Sequence, residues 1–274
     1  MSSLNHIPFS VLLSVYAKEQ DSCLREALDS LLYQTRQPDE IILVEDGPLP
    51  DVLTQTIREY QQRCPLLRTV SLPRNQGLGN ALNEGIRHCR YDLIARMDTD
   101  DIARPERFEI QLKVFEAHPE IDICSAWIEE FEGSPDHLLA VKKLPETHDE
   151  IRAYARHRCP VNHPVVVYRK QAVLRAGGYE GFPEDYRLWV KMLMTGARFY
   201  NVQQSLLYFR FSRSMIKRRG GWKYALADIR SQIDFYRMGL FGLPTLAYNI
   251  LVRGTVRLTP SALRQFIYQK LLRK

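Results

Sequence analysis

Residues 96–101 read Arg96-Met97-Asp98-Thr99-Asp100-Asp101, which puts three carboxylates within four residues. Like charges this close repel, and each raises its neighbour's pKa unless something positive lies between them. A divalent cation supplies that charge, and hard cations such as Mg²⁺ or Mn²⁺ take oxygen ligands. The apolar run Leu93-Ile94-Ala95 just before the cluster has the character of a buried strand. In open α/β sheets, ligands bind at the carboxyl ends of the strands. The cluster therefore fits a metal site holding a phosphorylated ligand. A solvated acidic turn, ahead of a helix begun by Pro105, fits the same residues.

Other residues with usable chemistry lie at comparable places. Asp46 follows the apolar run Ile41–Val44 and could accept a hydrogen bond from a base N–H or a ribose hydroxyl. In Asp46-Gly47-Pro48 it could equally be a turn former. The loop Arg74-Asn75-Gln76-Gly77-Leu78-Gly79-Asn80 opens a helix and could offer backbone N–H groups to an anion. It matches neither the dinucleotide fingerprint nor the Gly-Lys-Ser/Thr phosphate loop, so a tight turn explains it as well. Glu184 and Asp185 stand at the start of another helix, where the macrodipole favours acids whether or not they do chemistry. His163, before Pro164, could touch a ligand or serve only its loop.

The elements that must position these residues follow from periodicity. Phe9 to Tyr16, Ile41 to Val44, Leu67 to Leu72 and Tyr91 to Met97 read as buried strands. Between them, Leu24/Ala27/Leu28/Leu31/Leu32, Leu53/Thr56/Ile57/Tyr60 and Ala81/Leu82/Gly85/Ile86 each fall on one helical face. Asp21 or Ser22 is the expected cap of the first helix. Alternating strands and helices with short links predict a largely parallel sheet with right-handed crossovers. Parallel strands bring their carboxyl ends to one edge, so Asp46 and Asp98 should face a common crevice. Further on, Phe108/Leu112/Phe115 predict a helix, Ile121 to Ile128 a strand, and Thr147-His148-Asp149-Glu150 a capping box. Leu188/Met192/Leu193 predict a helix that Gly196 stops.

At 274 residues the chain can bury a full core, and 45% hydrophobic with 26% charged residues is a globular composition. A net charge of +6 suits an acidic partner: nucleotide phosphate, nucleic acid or anionic lipid. Five scattered cysteines with no CxxC pair argue against a disulfide framework or zinc site and for a reducing compartment. No signal peptide and no bilayer-spanning stretch is expected. Past Phe211 the composition turns basic, with Arg213, Lys217, Arg218, Arg219 and Lys223, and then helical. Leu263, Phe266, Ile267 and Leu271 share a face opposite Arg264 and Arg273. Such a helix can lie on an anionic membrane or pack on its own domain.

Together these stretches resemble the family 2 inverting glycosyltransferases of the GT-A fold, from about residue 10 to 214. Ser10-Val-Leu-Leu-Ser-Val-Tyr16 is similar to the family's first strand with its nucleotide-side tyrosine. Val44-Glu45-Asp46-Gly47 resembles the Asp-Asp-Gly turn that contacts uracil, with Glu in place of the first acid. Arg74-Asn75-Gln76-Gly77-Leu78 and Ala81-Leu82-Asn83-Glu84-Gly85 resemble the run before the metal motif, and Asp98-Thr99-Asp100 the Asp-x-Asp signature. Gly178-Tyr179 followed by Glu184-Asp185-Tyr186-Arg187-Leu188-Trp189 resembles the Glu-Asp acceptor motif. Two features depart from the family. Tyr208-Phe209-Arg210-Phe211-Ser212 lacks the histidine often found there, and the Gln-x-x-Arg-Trp motif of processive synthases is missing.

The resemblance implies an α/β, GT-A (Rossmann-like), mostly parallel central sheet flanked by helices, with a helical C-terminal extension. A catalytic domain would span 1–215, with a nucleotide-sugar half to about 102, an acceptor half from 103, and a basic helical segment over 216–274. It implies transfer of one hexose or N-acetylhexosamine from a UDP-sugar to a saccharide hydroxyl. Mn²⁺ or Mg²⁺ would sit on Asp100 with help from Asp98, and Asp101 could assist. Ser14, Tyr16, Asp46, Asn75, Arg96 and Asp98 would hold the nucleotide. Asp185 would be the general base, and His163, Glu184 and Trp189 would meet the acceptor. A lipid-diphosphate-linked acceptor, an anionic membrane surface and a peripheral place on the cytoplasmic face of the cell membrane follow from the same resemblance, and no nucleic acid. A metal-dependent nucleotidyltransferase and a basic nucleic-acid-binding protein are the competing readings. The first lacks a basic Gly-rich signature near Ser10–Tyr16; the second should have basic residues tracking a groove with interleaved aromatics, whereas the clearest basic cluster lies outside the apparent catalytic core.

Overall fold

The computed structural model describes residues 6–212 and 221–259. Arg213, Lys217, Arg218, Arg219 and the stretch Leu263, Phe266, Ile267, Leu271 lie outside the described residues, as does the side chain of Lys223. The first half alternates as its periodicity predicts: β1 (Phe9–Val15), α1 (Asp21–Leu32), β2 (Glu40–Glu45), α2 (Asp51–Arg63), β3 (Leu67–Ser71), α3 (Leu78–His88) and β4 (Leu93–Arg96). The second half holds β5 (Ile102–Ala103), α4 (Arg107–Ala117), β6 (Ile123–Phe131), β7 (Leu138–Lys142), α5 (His148–Ala155), β8 (Val167–Arg169), α6 (Lys170–Arg175), α7 (Glu184–Met194) and β9 (Phe199–Arg210). Two long helices follow, α8 (Trp222–Arg237) and α9 (Leu243–Leu258).

Among the described residues, nine strands join one sheet in the order β3-β2-β1-β4-β8-β6-β9-β5, with β7 on β6. Strands β3, β2, β1 and β4 are parallel, as expected. Beyond β4 the sheet is mixed. Strand β8 runs antiparallel to β4 and β6, β6 and β9 are parallel, and β5 and β7 are antiparallel additions. The change comes where the strand–helix alternation of the sequence loosens, so crossovers no longer enforce parallel pairing.

Alternate side chains of β1 go to opposite faces. Phe9, Val11, Leu13 and Val15 pack with α1, α2 and α4, while Leu12 joins Ile42 and Val44 under α3 and α7. Helix α3 lies very close to the sheet. A Cβ on Gly85 would fall 2.3 Å from Leu12 Cδ1 and 2.8 Å from Val44 Cγ2, so only glycine fits there. Helix α7 is buried on two sides. Leu188, Trp189 and Met192 face the sheet, whereas Tyr186 and Val190 pack with Phe235, Leu240, Phe241 and Leu246 of the α8–α9 region.

Two caps can be compared with expectation. Thr147 and Glu150 form the capping box of α5. Helix α1 differs, with Gln20 at its N-cap and no side-chain cap. Asp21 lies inside the first turn because its carboxylate is taken by Arg25 Nε at 2.9 Å and by the Thr56 hydroxyl of α2. All five cysteines are free.

Candidate active site

The carboxyl ends of β1, β2 and β4 open onto one cavity of about 1320 Å³. Ser14, Tyr16, Asp46, Asn75, Arg96, Asp98 and Asp100 line it from the amino-terminal part of the chain, and His163, Glu184 and Asp185 from the part beyond β6. Ten of the twelve positions given a role in the sequence thus meet in one place, and Asp101 adjoins them beside Asp98 and Asp100. Trp189 does not. It is fully buried in the core and stands edge-on to His163, with ring centroids 5.7 Å apart, so it supports that residue from behind.

Asp46 has a structural task at the end of β2. Its two carboxylate oxygens accept the backbone N–H groups of Gln76 at 2.7 Å and Gly77 at 3.0 Å, while Asn75 Nδ2 donates to its carbonyl at 3.2 Å. The loop can come this close because Gly47, at φ +90°, has no side chain. A Cβ there would lie 2.5 Å from Asn75 N. A carboxylate offers about four acceptor positions, so room remains for a ligand N–H or hydroxyl.

The acidic cluster is built from below. The buried Arg96 guanidinium grips both oxygens of Asp98, one of them at 2.8 Å, and Arg107 donates to the Arg96 carbonyl at 2.7 Å. The Thr99 hydroxyl donates to Glu19 at 2.7 Å and ties the turn to the segment after β1. Asp101 Oδ1 accepts the backbone N–H of Arg210 at 2.8 Å, and Arg210 Nε donates to the Asp100 carbonyl at 2.8 Å. Arg210 also pairs with Glu26 and lies over the Phe131 ring. It is the main residue of this site that sequence reasoning missed. The available signal was its place in Tyr208-Phe209-Arg210-Phe211, close to the end of the catalytic region.

Carboxylate oxygens of Asp98, Asp100 and Asp101 come within 4.8 Å of one another. Burial, then the charges of Asp98 and Glu19, push Asp100 up to about 7. Burial and the two neighbouring aspartates raise Asp101 well above the usual range. Asp101 Oδ2 is buried without a hydrogen-bond partner. Crowded, desolvated carboxylate oxygens with one acceptor unused suit a hard divalent cation, so the donor set fits Mn²⁺ or Mg²⁺.

On the facing side, Asp185 sits in the first turn of α7. Its Oδ1 accepts the Tyr186 backbone N–H at 2.7 Å, and Oδ2 lies 3.9 Å from Cys159 Sγ. Burial, helped by the Asp185 charge and opposed by a backbone hydrogen bond, leaves Glu184 with a raised pKa. His163 Nε2 is 2.9 Å from the Tyr179 hydroxyl. Burial and the Arg96 charge hold its pKa well below the usual histidine value, so its ring is neutral at pH 7. Asn83 joins the halves, with Nδ2 donating to the Tyr179 carbonyl at 2.7 Å and Oδ1 accepting the Tyr179 N–H at 2.8 Å.

Solved structures with the same architecture define the class. The fold is similar to S. aureus TarS 1–349 in complex with UDP-GlcNAc, at TM-score 0.67 and 15% identity, covering 96% of this chain and 75% of that one. It is similar also to the mannosyltransferase PcManGT from Pyrobaculum calidifontis in complex with GDP-Man and Mn²⁺, at TM-score 0.64 and 16% identity, covering 96% and 79%. The molecule therefore has the GT-A glycosyltransferase fold.

Sequence comparison narrows this further. Residues 10–176 match the family described as glycosyl transferase family 2. An uncharacterized glycosyltransferase of Haemophilus influenzae is 43% identical over 266 residues, 97% of this chain and 99% of that one. The UDP-Gal:alpha-D-GlcNAc-diphosphoundecaprenol beta-1,3-galactosyltransferase of Escherichia coli is 40% identical over 268 residues, 97% of each chain. The amylovoran biosynthesis glycosyltransferase AmsE of Erwinia amylovora is 39% identical, over 96% of this chain and 98% of that one. The chain belongs to glycosyltransferase family 2. That membership sets aside the nucleotidyltransferase and nucleic-acid-binding readings.

Proposed function

We propose that this glycosyltransferase moves one hexose or N-acetylhexosamine from a UDP-sugar to a hydroxyl of a lipid-diphosphate-linked saccharide, with inversion, in surface polysaccharide assembly. The observation that carries the reading is that acids from both halves, Asp98 and Asp100 on one side and Asp185 on the other, line a single cavity. The names of the relatives from Escherichia coli and Erwinia amylovora support the acceptor class and the pathway type. The Tyr16, Asp46 and Asn75 side of the cleft would hold uridine. Asp185 would take the acceptor hydroxyl's proton as that oxygen bonds to the anomeric carbon. The bond from that carbon to UDP breaks in the same displacement, and its electron pair leaves with the diphosphate. Tyr186 N–H fixes one Asp185 oxygen and so aims the other. Asp98 and Asp100 would hold a divalent cation, which supplies positive charge against the diphosphate, with Asp101 assisting. Arg96, gripping Asp98, keeps that carboxylate in place.

The test uses UDP-galactose and a short-chain lipid-diphosphate GlcNAc acceptor. Asp185→Asn should cut transfer by about 10²–10⁴-fold while UDP affinity by calorimetry holds. Full activity in that variant would end the assignment of Asp185 as base. Retention of the anomeric configuration in the product, read by NMR, would end the single-displacement reading. Chelation should stop transfer, and Mn²⁺ or Mg²⁺ should restore it.

A further inference from the structure

Helix α9 carries a solvent-facing stripe without a charged residue. Leu243, Ala247, Tyr248, Leu251, Val252 and Leu258 are exposed at helical spacing, Leu251 by 70% and Leu243 by 62%. The polar side chain among them, Thr255, turns its hydroxyl back onto the Leu251 carbonyl at 2.8 Å. Such a face is unusual on a chain of net charge +6.

The helix cannot roll to hide it. Asn249 Nδ2 donates to the Arg156 carbonyl at 2.7 Å and to Gln232 Oε1 at 2.8 Å. Arg253 and Arg257 both bond to the buried Asp228 of α8, at 2.8 and 3.0 Å. These polar pins, with Leu246 in the core, fix the apolar side outward.

Two further observations say what covers it. First, the stripe runs into the catalytic cleft, because Pro244, Tyr248 and Val252 are exposed on α9 and also line the cavity that holds Asp185. Second, one end of the stripe adjoins basic chain. Gly221 N donates to the Arg257 carbonyl at 3.1 Å, which brings the start of α8 to the end of α9. Residues 213–220 join the described chain at that corner, and residues 260–274 leave from it. Between them these two stretches carry Arg213, Lys217, Arg218, Arg219, Arg264, Lys270, Arg273 and Lys274 and no acid. An uncharged helical face joined in the chain to stretches rich in cations and without acids suits the interface of an anionic bilayer. No described helix is long and apolar enough to cross one.

We infer that α9 lies on an anionic lipid bilayer through its Leu243–Leu258 stripe, so that the acceptor mouth of the cleft opens at the lipid surface. A lipid-linked acceptor then reaches Asp185 without leaving the membrane. The purpose of the arrangement rests on the acceptor class proposed above; the docking itself does not.

The experiment is sedimentation of the full chain with vesicles of phosphatidylglycerol and phosphatidylethanolamine, without donor or acceptor. Leu243→Glu/Leu251→Glu should lower the partition coefficient at least about tenfold, since two exposed aliphatic side chains that would enter the bilayer are replaced by repelled anions. Leu174→Glu, an exposed apolar site on α6, should leave it unchanged. Leu243→Ser/Leu251→Ser, which adds no charge, should also weaken binding. Thermal melts matching the parent establish that the variants fold. Transfer to an acceptor embedded in vesicles should fall with binding, while transfer to a detergent-soluble short-chain acceptor holds. Unchanged sedimentation of both double variants overturns the inference. So does loss of a dimer with vesicle binding intact, which would make the stripe a contact between copies. Tighter binding after removal of residues 260–274 would assign the stripe to that segment, and also overturns it. Intact vesicle binding with no transfer to any lipid-linked acceptor would count against the proposed function alone.

Discussion

The Asn83–Tyr179 clamp gives the sharpest single perturbation. Asn83, on α3, holds the backbone of Tyr179 by two hydrogen bonds of 2.7 and 2.8 Å. Tyr179 is 2% exposed and its hydroxyl meets His163 in the cleft. Asn83→Ala removes both bonds, at about 1 kcal/mol each, and leaves a buried N–H and C=O seeking partners. Together these amount to about 2–4 kcal/mol of lost stability. Urea unfolding followed by fluorescence should show a lower midpoint at unchanged slope. Asn83→Asp separates the two bonds. It keeps the acceptor for the Tyr179 N–H but turns a carboxylate oxygen towards the Tyr179 carbonyl. It should therefore not restore stability at pH 7, and should regain part of it at lower pH, when the introduced acid can donate. A loss under about 0.5 kcal/mol in Asn83→Ala, below what one ordinary hydrogen bond contributes, would refute the clamp.

Two other expectations follow from the same geometry. Arg210→Lys deletes the Nε bond to the Asp100 carbonyl and the planar ion pair with Glu26, so Mn²⁺ affinity in calorimetry should fall by about 10–100-fold, the usual cost of losing a group that orients metal ligands; unchanged affinity would remove Arg210 from the site's support. His163 has a depressed folded pKa, so between its unfolded value near 6.5 and that lower value the unfolded chain binds the proton and the folded chain does not. Its contribution to stability is therefore full above that window and lost as pH falls through it, at no more than about 1.4 kcal/mol per pH unit. His163→Gln should flatten the denaturation profile between pH 6.5 and 5, and an identical slope would contradict the buried neutral ring.

The region from β1 to β4 was legible because its physics is local and repetitive. Strands β1, β2 and β4 are nearly continuous apolar runs, and helical periodicities separate them. Parallel topology then puts Asp46 and Asp98 at one edge without any knowledge of contacts. What the sequence could not show was how those acids are occupied. The spacing of Asp46 does not reveal that two backbone amides already bind it, nor that Arg96 and Arg210 reach the cluster from below and from β9. Such partners are set by chain segments up to 110 residues apart. Strands β5 and β7 escaped for a different reason. One is two residues long, and the other exposes Leu138 and Leu139.

The misplaced Trp189 shows where periodicity stops being informative. A helix packed on one side presents one apolar face, and the opposite face can be read as the exposed one. Helix α7 is packed on two, the sheet on one side and the α8–α9 region on the other. Only its amino-terminal turn is left to face the cleft. Glu184 and Asp185 occupy that turn, while Trp189, a turn further on, must point into protein. The second packing surface comes from residues 235–246, about fifty positions away in the chain. The same helices also line the cavity that holds Asp185, with Tyr224, Tyr248 and Arg253. The C-terminal region thus completes both the burial of the helix that carries Asp185 and a wall of the cavity. A lesion in that region should therefore damage catalysis and folding together, whereas Leu243 and Leu251, on the outward face of α9 and outside the cavity lining, can be altered without loss of folding or of transfer to a detergent-soluble acceptor.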